Sequence, residues 1–171
     1  MRRLVTAVVG LAMVGACGTT GPEVAGGGDG LIYGGASHVS ETWFNTVTFP
    51  GTLRFRNRDP NARFADRYRD LQTGRETQIG MIGLPAGEWE LESLYFGSGA
   101  TRSTIEMRSG TRPVVRVASG DILYIGHIEW SSDRTALVRR DDFAAFRELV
   151  RPPPAERVIY QPLQTTAIRE P

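Results

Sequence analysis

From residue 31 to about residue 151, apolar side chains come in short stretches separated by turn-forming residues. Leu53 and Phe55 alternate with Thr52, Arg54 and Arg56, which is the period of a half-buried strand. In Glu88-Trp89-Glu90-Leu91-Glu92, Trp89 and Leu91 fall on one face and the three glutamates on the other, because side chains alternate along a strand. Val115 and Val117 flank Arg116 in the same way. Ile122 to Trp130 is apolar on both faces for most of its length, the pattern of a central strand. Strict alternation there places Ile122, Tyr124, Gly126, Ile128 and Trp130 on one face, and Leu123, Ile125, His127 and Glu129 on the other. Thr135 to Val138 is expected as its hairpin neighbour.

Turn signals recur at Pro85-Ala86-Gly87, Gly97-Ser98-Gly99, Ser109-Gly110, Ser119-Gly120-Asp121 and Ser131-Ser132-Asp133. This rhythm predicts a mainly β domain, an antiparallel β-sandwich over residues 31–151. One short C-terminal helix is expected, capped by Asp141 or Asp142. Phe143, Phe146 and Val150 form its apolar stripe, and Pro152-Pro153-Pro154 stops it. Such a helix would cover a sheet edge or an open end of the sandwich. Residues 59–73 read as a connection with a short helical turn. Residues 152–171 read as a Pro-rich tail in which Val158-Ile159-Tyr160 could add an edge strand or dock on a partner.

The N-terminus has a different grammar. Met1-Arg2-Arg3 is followed by an apolar run, Leu4 to Val14, too short to span a bilayer as a mature helix and matching a signal peptide over residues 1–16. Val14-Gly15-Ala16-Cys17 resembles the bacterial lipobox. The resemblance implies diacylglycerol on the Cys17 thiol, cleavage before it and acylation, palmitate included, of the new amine. Val14 and Ala16 also satisfy the rule for an ordinary secretory signal, but the sole cysteine of the chain stands at the lipobox position. Residues 17–30 carry the lipidated Cys and a Gly-rich stretch that cannot offset its ordering entropy, so a flexible tether is expected. Its reach is on the order of 20 Å. Gly18 after the cysteine resembles the outer-membrane class of Gram-negative lipoproteins, a resemblance that implies a domain at the outer membrane facing the periplasm.

Charge narrows the partners. All 20 basic residues are Arg, as a GC-rich genome would give, and 19 acidic residues balance them. Removing Arg2 and Arg3 with the signal leaves the mature chain near −1, with no global attraction to nucleic acid. Locally, Arg54, Arg56, Arg58, Arg63, Arg67, Arg69 and Arg75 outnumber Asp59, Asp66 and Asp70, so Arg54, Arg56 and Arg58 are candidate partner contacts. Trp43-Phe44 is the aromatic pair in a loop-like context that could be exposed and adhesive. His38 and His127 are the only histidines. His127 with Glu129 falls short of the three or four ligands a zinc site needs. Ser37, His38 and Glu41 lie too close along the chain to suggest a hydrolytic triad. No cofactor or metal is expected.

The segments Ile82-Gly83-Leu84-Pro85-Ala86-Gly87-Glu88-Trp89 and Ser119-Gly120-Asp121-Ile122-Leu123-Tyr124-Ile125-Gly126, together with the lipobox, resemble small bacterial lipoproteins with a transthyretin/prealbumin-like, carboxypeptidase-regulatory-like sandwich. Type VI secretion lipoproteins with a transthyretin-like domain make a scaffold role a fair analogy. The expectation is a membrane-anchored, non-enzymatic binding or scaffold domain with an envelope protein as partner. The alternatives are a small envelope hydrolase using His38 or His127, and a structural envelope-integrity protein without a defined partner.

Overall fold

The structure, a computed structural model, describes residues 29–41, 46–74, 78–97, 102–131, 136–140, 143–149, 158–164 and 168–169. The signal peptide, Cys17, Trp43, Phe44, Arg75, the two candidate cap aspartates and Val150 lie outside them.

The described residues are mainly β and build a mixed sheet of eleven strands. The long strands β1 (Asp29–Glu41) and β2 (Thr46–Asn57) form an antiparallel hairpin through residues 37–41 and 46–50. Beyond Pro50, β2 leaves β1 and pairs instead with β3 (Tyr68–Gln72) and β5 (Gly87–Phe96). One strand therefore belongs to two layers. In the first layer, β1 pairs with β4 (Gly80–Pro85) on one edge and with β8 (Ile122–Ser131) on the other, and β8 pairs with β9 (Ala136–Arg140). In the second, β6 (Ser103–Glu106) and β7 (Val114–Val117) share the outer edge of β5. Ile32, Ala36, Leu84, Leu123 and Ile125 of the first layer share one apolar core with Leu53, Phe55, Leu71, Trp89, Leu91, Leu94 and Val115 of the second. The alternation around Trp89 and Leu91 is as expected: both are fully buried, while Glu88, Glu90 and Glu92 are half-buried on the other face.

Several expectations are corrected. The sheet is not purely antiparallel, because β1 and β8 run parallel. Chain direction is set by where the chain crosses between layers, which alternation within a strand does not encode. The expected turn at Pro85-Ala86-Gly87 does join two strands, and because β4 pairs with β1 and β5 with β2 it carries the chain from one layer to the other. β8 does not alternate throughout. Between the pairs Tyr33–Tyr124 and Gly35–His127 it contains one residue more than β1, and Gly126 at φ 89° absorbs the bulge. The facing switches there, so Leu123, Ile125 and Ile128 all join the core.

The helix α1 (Phe143–Leu149) covers a face of the first layer rather than an edge. Phe146 is fully buried, with ring centroids 4.4 Å from Tyr124 and 5.1 Å from Tyr33. Residues 59–73 hold a 3-10 turn at Phe64–Asp66 followed by β3. Residues 158–164 and 168–169 of the tail belong to the folded body. Strand β10 (Val158–Tyr160) pairs in parallel with β8, and Leu163 is buried in the shared core. A final short strand, β11 (Ile168–Arg169), pairs with β9. At the other end, Asp29 and Gly30 belong to β1 and not to the tether.

Candidate functional site

Successive residues of β1 point to opposite faces, so Ser37 and His38 separate. Ser37 turns toward the layer face away from the core. There its Oγ lies 2.8 Å from Nε2 of His127, with both residues buried. The other ring nitrogen, Nδ1, lies 3.1 Å from the carbonyl oxygen of Gln78. A carbonyl only accepts, so in the neutral ring Nδ1 carries the proton, and Ser37 donates its hydroxyl proton to Nε2. Gln78 has φ 54°, a left-handed backbone that a non-glycine residue adopts at a cost. Gly35 lies beneath the ring: a Cβ there would stand 2.7 Å from Nδ1 and 2.3 Å from the Gln78 carbonyl oxygen. The loop after β3 closes the same side, where the Ala36 amide donates to Thr73 Oγ1 at 2.7 Å.

A serine hydroxyl donating to a histidine whose tautomer is held from behind is the arrangement of a nucleophile and its base. Here the serine is 0 % and the histidine 3 % exposed, so in this conformation the pair acts as a buried polar latch between β1, β8 and the β3–β4 loop. The structure thus assembles the serine with the histidine ninety positions away, not with its neighbour. Periodicity alone could not have found this pair, because it depends on the parallel β1–β8 register.

His38 turns the other way, into an aromatic group. Its ring stacks on Trp130 at 4.5 Å and on Phe49 at 5.9 Å, and meets Phe96 at 5.9 Å. Its Nε2 is buried and has no hydrogen-bond partner among the described residues. Burial holds its pKa below the usual histidine value, since the cationic form would lose its water. Val47 and Phe49 remain 38 % and 43 % exposed at this end of the β1–β2 hairpin. The segment between the two strands contains, in sequence, Trp43 and Phe44, which lie outside the described residues. Of the other tryptophans, Trp89 is buried in the core and Trp130 is packed against it.

The candidate contacts Arg54, Arg56 and Arg58 line the outer face of the second layer, and carboxylates meet all three. Arg54 makes a bidentate pair with Asp70, both bonds 2.8 Å, which raises its pKa above the usual arginine value. Its guanidinium also lies 4.8 Å from the Tyr95 ring centroid, where Arg102 approaches to 3.7 Å. Arg58 pairs with Glu88 at 2.7 Å, and Arg116 pairs with the same glutamate at 3.0 Å. Arg112 pairs with Glu90 at 2.6 Å, and Arg56 is loosely placed 3.9 Å from Glu92. The local excess of arginine is therefore not a bare basic face. Glu88 and Glu92 of β5 answer it from the adjacent strand, a neutralisation that counting charges along residues 54–75 misses.

At the end of β2 this face opens into a cleft of about 420 Å³, lined by Arg56, Arg58, Arg67 and Arg112 and by the acids Asp59 and Glu90, among others. Among the described residues, no three His, Cys, Asp or Glu side chains gather as a metal site, and no helix is long and apolar enough to cross a membrane. No protein family, no curated protein and no solved structure matches the chain.

Proposed function

We propose that the chain is a lipid-anchored cell-envelope domain that presents the far end of its β1–β2 hairpin to a protein partner. The observation that carries this reading is the exposure of Val47 and Phe49, with Phe49 stacked on His38, which in turn packs against Phe96 and Trp130. Exposed apolar side chains held on a strand present contact area without first losing conformational freedom. The position suits the task. The segment after Cys17 joins β1 at Asp29, whereas the hairpin end lies beyond residue 37. Thirteen strand residues separate the two ends of β1 by about 40 Å. The anchored end is thus the near pole and the aromatic end the far one.

The same reading takes the two layers with their shared core as a prealbumin-like sandwich, and the Val14–Cys17 segment as the acylation signal of a lipoprotein at the outer membrane, facing the periplasm. Gentle crosslinking of membranes followed by affinity purification of the C-terminally tagged chain tests it. A stoichiometric protein partner recovered with the native chain, and lost with Phe49→Ser and with Cys17→Ser, is the expected result. Undiminished recovery with Phe49→Ser would remove the hairpin end from the interface.

The Ser37–His127 bond supports a second reading, a small hydrolase. The burial of both residues weighs against it. Covalent labelling by a fluorophosphonate in the native chain, absent in Ser37→Ala, would put the hydrolase in first place.

A further inference from the structure

We infer that the opposite pole of the domain, where β1 begins, rests on the surface of the anchoring bilayer. Phe64 would lie among the lipid headgroups, with Arg63 and Arg67 on their phosphates. The inference rests on the reading of Cys17 as the anchor.

Three observations converge. The first is position. The Asp29 carbonyl accepts the Gly120 amide at 3.3 Å, Val117 just before that turn pairs with Gly87, and Glu88 accepts the Arg58 amide at 3.0 Å. The loop from Arg58 to Arg67 therefore hangs beside the point where the tether enters. Eleven residues lie between Cys17 and Asp29, which span at most about 38 Å, so the pole is confined within that distance of the lipid.

The second is exposure. Phe64 is 83 % exposed, and Arg63 and Arg67 on either side of it are exposed as well. An aromatic ring between cations is the composition that settles at a membrane interface, where the ring sits at headgroup depth.

The third is charge. Among the described residues neither Arg63 nor Arg67 has a carboxylate partner. The acids nearest in the loop are already engaged: Asp66 pairs with Arg69 at 2.8 Å, and Asp59 accepts the Asn61 amide at 2.9 Å. Arg67 also borders the cleft of about 420 Å³, where four arginines, Arg56, Arg58, Arg67 and Arg112, outnumber the carboxylates of Asp59 and Glu90, the latter held by Arg112 at 2.6 Å. Guanidinium groups are suited to phosphate oxygens because they can meet two at once.

Sedimentation with vesicles tests this on the mature chain carrying Cys17→Ser, so that acylation cannot contribute. Vesicles of phosphatidylcholine alone are compared with equal parts phosphatidylcholine and phosphatidylglycerol, at low and high salt. The expected result is binding to the anionic vesicles that falls with salt. It should weaken about tenfold or more in the double variant Arg63→Gln/Arg67→Gln, and clearly in Phe64→Ser, with melting temperatures unchanged. Absence of binding to anionic vesicles, or equal binding by the variants, would overturn the inference. The anchor reading is judged separately, by the mass of the N-terminal peptide from membrane-extracted protein. Acyl chains on Cys17 with no vesicle binding would sink the docking pole alone, and an unmodified Cys17 would sink the anchor.

Discussion

Ser37 and His127 stand 2.8 Å apart across the parallel pair of β1 and β8, each buried and each satisfied by the other. The backbone carbonyl of Gln78 can only accept, so the Nδ1 it faces carries the proton and the Ser37 hydroxyl donates to Nε2. Replacing Ser37 by Ala leaves Nε2 buried without its donor. The expected cost is about 1–3 kcal/mol in a denaturant titration. His127→Ala should cost more, since it opens a cavity and also orphans both Ser37 and the Gln78 carbonyl. A double variant should lose less than the sum of the two, which a double-mutant cycle reads directly. Additive losses would mean that the two side chains do not work as a pair.

Gly35 is the floor of that latch. A methyl group there would collide with the Gln78 carbonyl oxygen and with the His127 ring, and the nearer obstacle is backbone. Gly35→Ala is expected to destabilise the domain by about 2 kcal/mol or more, through displacement of the β3–β4 loop. The check is the thermal midpoint together with hydrogen exchange at Gln78. An unchanged midpoint would show that the loop yields freely.

His38 links stability to pH. Its folded-state pKa lies below the ordinary histidine value because burial disfavours the cation. The unfolded chain therefore binds this proton first as pH falls. The contribution of neutral His38 is complete above the unfolded value of about 6.5, and it declines as pH drops from there through the folded pKa. Denaturation midpoints should fall over that acidic window, and His38→Phe should flatten the fall while keeping the stack on Trp130. A variant with the native pH dependence would assign the effect to other groups.

Leu163 makes the C-terminal segment a structural part of the domain. It is buried among core residues of both layers, after β10 has paired with β8. Leu163→Ala should cost about 2–4 kcal/mol, and truncation after residue 157 should cost more, by stripping an edge of β8 as well. Chemical denaturation of the two variants measures this. Native stability in the truncated chain would show that the segment is dispensable.

Much of the local structure was legible in the sequence, and the reason is geometric. A strand turns alternate side chains to opposite faces whatever it pairs with, so Trp89 and Leu91 announce their burial, and Leu53 and Phe55 likewise, from their immediate neighbours. The turns at Gly110 and Gly120 follow from glycine's access to positive φ, which both use. The apolar pattern on both faces of residues 122–130 marked β8 as the strand with neighbours on either side. The lipobox is read from four residues alone, as an expectation about acylation rather than about the fold.

Tertiary structure decided what is non-local. A residue's face is set by its own backbone, but its partner depends on which strands meet, in which direction and in which register. The parallel approach of β1 and β8 brought Ser37 to His127 and turned His38 to the aromatic rings. A single glycine bulge reversed the facing of half of β8, because one inserted residue shifts a period of two. The second layer joined the glutamates of β5 to arginines that looked unopposed along the chain, since ion pairs form between residues near in space. Leu163 joined the core for the same reason: burial requires a surface to pack against, and that surface exists only once the two layers have met.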